Sequence, residues 1–305
     1  MPSSEGLDRA TLRRLSRRSN ARGLVQLGAH GLLLMATGLL VWACRGGLWI
    51  LPALVVHGVV LNFLFCALHE RIHRTAFASR RINDSVAWFT GAILLLPPEF
   101  FRAFHFAHHR HTQDPTRDPE LAVPAPASLA SYVWRASGIP NWIRRLSVTL
   151  RHAFTGRVRE PFVAEAKRMH VVYEARVLWC IYAAITALSL VFRSNAVLIC
   201  WIVPLVLGQP FLRLYLLSEH AACALSADMY ANTRTTYTNV AVRFLAWQMP
   251  FHVEHHAFPA IPFHGLAEVN GLIRERIAVA APGYLALHAA LIRQLRPDRA
   301  TQQPQ

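Results

Sequence analysis

The sequence is short of acids, of paired cysteines and of charge altogether. Only 17 Asp and Glu stand against 32 Lys and Arg, and charged residues make up 16% of 305 positions. Beside 53% apolar residues and a positive mean hydropathy, so little charge excludes an ordinary soluble domain. It is the profile of a chain that crosses a membrane several times. The five cysteines, Cys44, Cys66, Cys180, Cys200 and Cys223, form no CxxC pair and lie mostly in apolar runs. They read as small buried hydrophobes and not as a zinc or redox motif. The net charge of +15 raises nucleic acid as a partner. The arginines, however, flank apolar runs instead of lining one polar face, so membrane topology accounts for them better and no nucleic acid is expected.

Leu24–Cys44 and Leu48–Leu68 are each 21 residues long without a charge, close to what a membrane-spanning helix needs. The short link Arg45-Gly46-Gly47 joins them as a helical hairpin. The first run is too long for a signal-peptide core, so it is expected to be retained. Val177–Phe192 and Ala196–Leu212, parted by Arg193-Ser194-Asn195, read as a second hairpin, with Pro204 and Pro210 able to kink its second helix. Val86–Leu96 is too short to cross and reads as interfacial or re-entrant. Between the hairpins, 112–175 is the most polar stretch. In it Trp142, Ile143, Leu146, Leu150 and Phe154 recur at helical spacing opposite Arg144, Arg145 and Arg151. That pattern is either an interfacial helix with snorkelling arginines or a surface helix packed on protein. The domain reading is a basic tail at 1–22, a membrane domain at 23–295 and a polar tail at 296–305.

This architecture is all-α: four transmembrane helices in two hairpins, with a helical cap on one side. Four crossings put both tails and the polar segment on that side. Of the 32 Lys and Arg, only Arg45 and Arg193 fall in the two opposite turns. The positive-inside rule makes the crowded side cytoplasmic, in what reads as a bacterial inner membrane.

Onto the same side fall three short histidine clusters: His69-Glu70-Arg71-Ile72-His73, His105-Phe106-Ala107-His108-His109 and His252-Val253-Glu254-His255-His256. They hold eight histidines in fifteen positions. His69, His73, His105, His108, His109, His252, His255 and His256 are half of the chain's 16 histidines. Spacings of three and four present imidazoles from adjacent turns of one helix face. Neutral imidazole suits iron, zinc, copper and nickel. Eight donors exceed the ~4 that a structural zinc takes and suffice for two partly coordinated metal ions. Iron in such a site can activate O2 against an unactivated C–H bond, and a membrane site points to a lipid substrate.

Two rival readings come with these residues. His69-Glu70-Arg71-Ile72-His73 also fits H-E-x-x-H, the zinc-protease signature, but a protease would leave the other six clustered histidines without a role. A membrane metal carrier would want acidic residues inside the spans, and the four apolar runs contain none. His30 and His57, alone within apolar runs, read as core or lumen-facing side chains.

The boxes His69-x3-His73, His105-x2-His108-His109 and His252-x2-His255-His256, with membrane hairpins between them, resemble the membrane fatty acid desaturase superfamily. The resemblance covers about Leu48 to Leu266. It implies a non-haem di-iron centre with two iron ions, O2 as co-substrate and a fatty acyl or other lipid substrate. It extends to related lipid hydroxylases and to carotenoid hydroxylases and ketolases. It also implies one more ligand just after the last span, a position that His220 matches. With no haem-binding segment fused at either end, electrons are expected from a separate ferredoxin, rubredoxin or cytochrome b5 type protein. Asp114 and Glu254 are read either as acceptors for imidazole N–H groups or as solvated carboxylates. His111 and His264 are read as neighbours of the site and not as ligands.

Overall fold

The structure is a computed structural model and describes residues 7–295. The tail at 296–305 and the first six residues of the basic tail lie outside the described residues. The rest of that tail is not merely solvated. α1 (Arg9–Leu15) is capped by Asp8, whose side chain accepts from the Ala10 and Thr11 N–H groups. Leu7 and Leu15 are buried, and Arg14 pairs with Glu268 at 2.5 Å near the other end of the chain.

α2 (Asn20–Cys44) starts at the Ser19 cap and runs 25 residues. α3 (Ile50–Asn62) and α4 (Leu64–Ile72) form one span of 23 residues with a break at Phe63. The break follows from Asn62. Its amide takes the Gly58 carbonyl of its own helix at 2.8 Å and the Leu205 carbonyl of a neighbour at 3.0 Å. α5 (Arg80–Ile93) is a 14-residue helix packed on α4, and α6 (Pro98–His111) begins at a proline, whose missing N–H costs nothing in a first turn. The buried Glu174 carboxylate accepts from the Glu99 N–H at 2.8 Å and so caps α6 from outside.

α7 (Leu129–Ala136) and α8 (Ile139–Thr155) follow. On α8 the side chains of Ile143, Leu146, Leu150 and Phe154 are exposed, while Thr149, His152 and Ala153 are buried, so the helix packs on protein by one face and leaves an apolar face open. α9 (Glu165–Val191) starts twelve residues before the expected apolar run. Nothing in 165–176 breaks a helix, and Val171, Val172 and Ala175 give that polar stretch a buried face. A single π turn, Leu198–Ile202, leads into α10 (Val203–His220), which carries the helix on past Leu212 to His220. Among the described residues four helices are therefore long and apolar enough to cross a membrane: Asn20–Cys44, Ile50–Ile72, Glu165–Val191 and Leu198–His220. They include Glu70, Glu165, Glu174 and Glu219, so the expected absence of acids holds only for the apolar runs within them.

Ile50–Ile72 is the most buried of the four, with α2 and α10 packed along it. α3 and α10 touch backbone to backbone: a Cβ on Gly58 would lie 2.1 Å from the Pro204 carbonyl oxygen, and one on Gly208 2.1 Å from the Gly58 carbonyl. His30 and His57 fasten this bundle. His57 Nε2–H donates to the Cys200 carbonyl at 2.9 Å, with Thr37 Oγ1 at 2.8 Å from its Nδ1. His30 donates to the Val60 carbonyl at 3.0 Å and accepts from the Trp247 indole at 3.3 Å.

After α10 come α11 (Met229–Asn232), α12 (Val240–Leu245), α13 (His252–Ala257), α14 (Leu266–Ile273) and α15 (Tyr284–Gln294). Asn239 caps α12, as its position allows. The apolar residues after α12 do not continue its helix to Pro250. Trp247 and Gln248 turn it at φ of 50° and 60°, a strained bend that delivers the third histidine cluster. Among the described residues the fold is otherwise all-helical, with one parallel two-residue ladder between β1 (Thr235–Thr236) and β2 (Ala280–Ala281).

Candidate metal centre

The C-terminal ends of α4, α6 and α10 converge on α13. They bring the clustered histidines into two groups whose ligand atoms lie within 4.8 Å of one another. One group is His69, His73, His105, His109 and His255, and the other is His108, His220 and His256. Each group draws on different helices, so neither is visible from spacing alone.

The second group can be read proton by proton. His108 Nδ1 lies 3.0 Å from Asp118 Oδ1, and His220 Nδ1 lies 3.2 Å from the Asn232 carbonyl oxygen. Both acceptors lack a proton, so both Nδ1 atoms carry one. Thr112 donates its hydroxyl proton to the His108 carbonyl at 2.8 Å and so accepts from His256 Nδ1 at 3.3 Å. All three rings are thereby held through Nδ1–H, and their Nε2 lone pairs face inward. His108 Nε2 and His220 Nε2 stand 3.2 Å apart, and the buried His256 Nε2 has no partner. Two lone pairs at that distance repel unless a proton or a cation sits between them. Cis ligands on bonds of about 2.1 Å would be separated by about 3.0 Å, so the spacing fits a metal.

In the first group, His73 Nε2 and His105 Nε2 are 2.9 Å apart, and His109 Nε2 and His255 Nε2 are 3.1 Å apart. Buried His69 has no hydrogen-bond partner on either nitrogen. A neutral imidazole must carry one N–H, and leaving it and the ring's acceptor unpaired costs about 1–3 kcal/mol each. A metal at this group would satisfy the acceptor. Burial, and then the neighbouring imidazoles, push His73, His105, His109, His255 and His256 well below the ordinary histidine range. These rings are neutral at pH 7, the form that binds metal. Burial also pulls His108 down, but Glu120 and Asp118 outweigh it and hold it above the usual value.

His252 joins neither group. Its ring centroid is 4.6 Å from that of His256, 5.1 Å from His220 and 6.3 Å from His69, and its Nδ1 is 3.4 Å from Glu219 Oε1. His111 lies in neither group. His264 Nδ1 accepts from Arg22 at 3.0 Å, away from both groups.

Neither carboxylate weighed as a support for an imidazole has that role. Asp114 closes its own loop, accepting from the Thr116 N–H at 2.9 Å and from Arg117 Nε at 2.6 Å. Glu254 sits two residues from His252, which on a helix is the opposite face, and binds Thr235 at 2.6 Å and Asn270. Asp118 holds His108 instead, four residues beyond the expected position. Both aspartates precede or neighbour a proline in one loop, and nothing in the local sequence ranks one above the other. Burial works against ionising Asp118, but the His108 contact and the Glu120 and Gln113 N–H groups hold its carboxyl below the usual range. Asp118→Ala is expected to lower metal affinity or turnover by about 10–100-fold with the fold kept, measured by metal content after gel filtration and by initial rate. Unchanged affinity and rate would remove Asp118 from the site.

Glu70, the general base of a zinc protease in the rival reading, accepts from the Phe263 N–H at 3.1 Å. His69 and His73 meanwhile share their group with three histidines from other clusters. That arrangement leaves the protease motif without its own site.

A cleft of about 1290 Å³ opens onto His69, His105, His108 and His252 and is walled by Phe65, Leu96, Phe101, Phe104 and Leu216. Its apolar wall can take a hydrocarbon chain and keep water from the histidines.

Comparison with known proteins follows the same residues. A family model described as fatty acid desaturase matches residues 48–288. The chain is 25% identical over 270 residues to an acyl-lipid (9+3)-(E)-desaturase of Dimorphotheca sinuata, covering 76% of this chain and 70% of that one. It is 23% identical to an sn-1 oleoyl-lipid 12-desaturase of Synechocystis, covering 83% and 74%. It is 24% identical to a dihydrorhizobitoxine desaturase of Bradyrhizobium elkanii, covering 79% and 71%.

Proposed function

The chain belongs to the fatty acid desaturase family, and from that premise we propose that it is a membrane-bound, O2-dependent di-iron oxidoreductase that desaturates a fatty acyl chain. The observation that carries this reading is the second histidine group, in which three rings are each anchored through Nδ1–H and turn Nε2 to a common point. In the proposal, His69, His73, His105, His109 and His255 hold one iron. His108, His220 and His256 hold the other, with His252 as the ninth donor on that side. Iron bound there would supply a redox centre that, with O2, can take hydrogen from an unactivated C–H bond.

The chain's own groups do the rest. Asp118, the Asn232 carbonyl and Thr112 fix the tautomer and direction of three rings, so the donor set is ready before metal arrives. Phe65, Phe101 and Leu216 hold the hydrocarbon beside the histidines and exclude water. In the balanced reaction a –CH2–CH2– unit loses two hydrogens, O2 becomes two waters, and two electrons and two protons enter from outside. The electrons come from a separate ferredoxin, rubredoxin or cytochrome b5 type protein, which the basic face would steer to the site. The helices form two hairpins with the histidines on the cytoplasmic side of a bacterial inner membrane, the orientation that the Lys and Arg distribution favours.

Purified in detergent, the protein is expected to carry about two irons per chain. Chelation should lower its melting temperature, because metal bound only to the folded state stabilises it. Lipid and carotenoid profiling of an expressing host would name the product. A new double bond supports desaturation, and a hydroxyl or keto group moves the assignment to the hydroxylases or ketolases of the same superfamily. One zinc per chain with proteolytic activity would overturn the reading.

A further inference from the structure

The cleft that reaches the histidines is also lined by Arg135, Asn141, Arg144, Arg145 and Arg213. Arg213 stands on α10, inside a helix apolar enough to cross a membrane, where an ionisable side chain is rare and points to function. Its guanidinium donates to Asn141 Oδ1 at 3.2 Å through Nη1, while Nε and Nη2 are buried and have no acceptor. Asn141 Nδ2 and both amide atoms of Gln209, one turn earlier on α10, are also buried without a partner. The two walls are pressed together at Gly138, whose φ is +76° and where a Cβ would lie 2.2 Å from Gln209 Cγ.

The arginines around this point are short of counter-charge. Arg145 donates to the Leu94 carbonyl at 2.9 Å and Arg135 to the Pro124 carbonyl at 2.8 Å, both neutral acceptors. Among the described residues none of Arg135, Arg144, Arg145 and Arg213 forms an ion pair, although Glu120 and Glu219 line the same cleft. Holding Nε and Nη2 of Arg213 out of water without an anion is costly, and the planar guanidinium fork matches a carboxylate or a phosphate. Arg213 and His220 are seven residues apart on one helix, about 10 Å along nearly the same face. An anion held at Arg213 would therefore leave room for a stretch of hydrocarbon before the histidines.

We infer that Arg213, with Asn141 and Arg144, binds the anionic head, a carboxylate or a phosphate, of the acyl substrate. The identity of the tail rests on the function proposed above, whereas the head site rests on these side chains alone. Uncharged carotenoids and neutral glycerides are then poor substrates.

The test is binding by the purified, metal-containing protein, read as displacement of a fluorescent fatty acid. Four competitors are used: palmitate, methyl palmitate, dipalmitoyl phosphatidic acid and dipalmitoylglycerol. One of the charged members should bind about tenfold or more tighter than its uncharged counterpart, the effect of a charge-assisted hydrogen-bond pair. Which pair shows the gap distinguishes a free carboxylate from a lipid phosphate. Arg213→Gln should shrink the gap to about twofold, with iron content and melting unchanged. Arg144→Gln, at an exposed position, should narrow it as well and serves where the buried variant does not fold. Equal binding of charged and uncharged ligands, or a full preference in both variants, overturns the inference. A protein without iron or oxidase activity that keeps the preference would defeat the proposed function and leave the head site standing. Acyl oxidation with no preference would do the reverse.

Discussion

His108→Ala is expected to abolish turnover and to release at least one iron while the protein stays folded in the membrane. Both ring nitrogens of His108 are engaged. His108 Nε2 faces His220 Nε2 at 3.2 Å, its Nδ1 is held by Asp118 at 3.0 Å, and its ring centroid lies 5.1 Å from that of His256. Loss of a residue that only orients a ligand costs about 10–100-fold, so loss of the ligand itself should exceed the upper end of that range. Alanine is the best helix former, so α6 persists at that position. The Asp118 carboxylate would be left buried without its partner, and the pair His108→Ala, Asp118→Asn controls for that. The measurements are iron per chain, rate with an added electron donor and elution as a single species in detergent. Retained turnover would dismiss the ligand assignment.

Gly58→Val is expected to prevent stable assembly of the bundle, with a loss above about 3 kcal/mol, the upper end for overpacking a core. The new Cβ would lie 2.1 Å from the Pro204 carbonyl oxygen and 2.9 Å from the Gly208 nitrogen. Both neighbours are backbone, so no rotamer relieves the clash and α3 and α10 must separate. That separation would also pull Asn62 from the Leu205 carbonyl and His57 from the Cys200 carbonyl. Because α3 leads to the first histidine cluster and α10 to His220, metal loading should fall together with yield and melting temperature. Gly28 and Gly31 on α2 are the contrast. A Cβ at either meets nothing within 4 Å, so alanine there should not destabilise and, as the better helix former, should add up to about 1 kcal/mol. A well-folded Gly58→Val protein would show that the two helices do not meet as described.

The three histidine clusters, the four apolar helices and the family were all legible in the sequence. Imidazoles three and four residues apart share a helix face wherever that helix sits, and a bilayer imposes about 20 apolar residues on any helix that crosses it. The helix ends were not legible. α9 begins at Glu165 because Val171, Val172 and Ala175 find a buried face against other segments, which an average over hydropathy does not register.

The support of the rings was not legible for the same kind of reason. Asp114 and Asp118 lie in one loop, and only its folded path decides which carboxylate reaches His108. Glu254 is the exception, since its offset of two from His252 already places it on the far face of a helix. His30 and His57 looked like isolated core histidines, and the structure gives them donors and acceptors on segments 20 to 217 residues away. In the sequence Arg213 merely follows the apolar run that ends at Leu212, because its lack of an acceptor is a fact about its neighbours.

By itself, then, the sequence determined what depends on local period and solvent: the spans, the clusters and the supply of neutral nitrogen donors. Tertiary structure decided how those donors are divided, five to one group and three to the other with His252 in neither. It also decided which proton each ring keeps, since a tautomer is set by whatever carbonyl or carboxylate the fold brings to the other nitrogen.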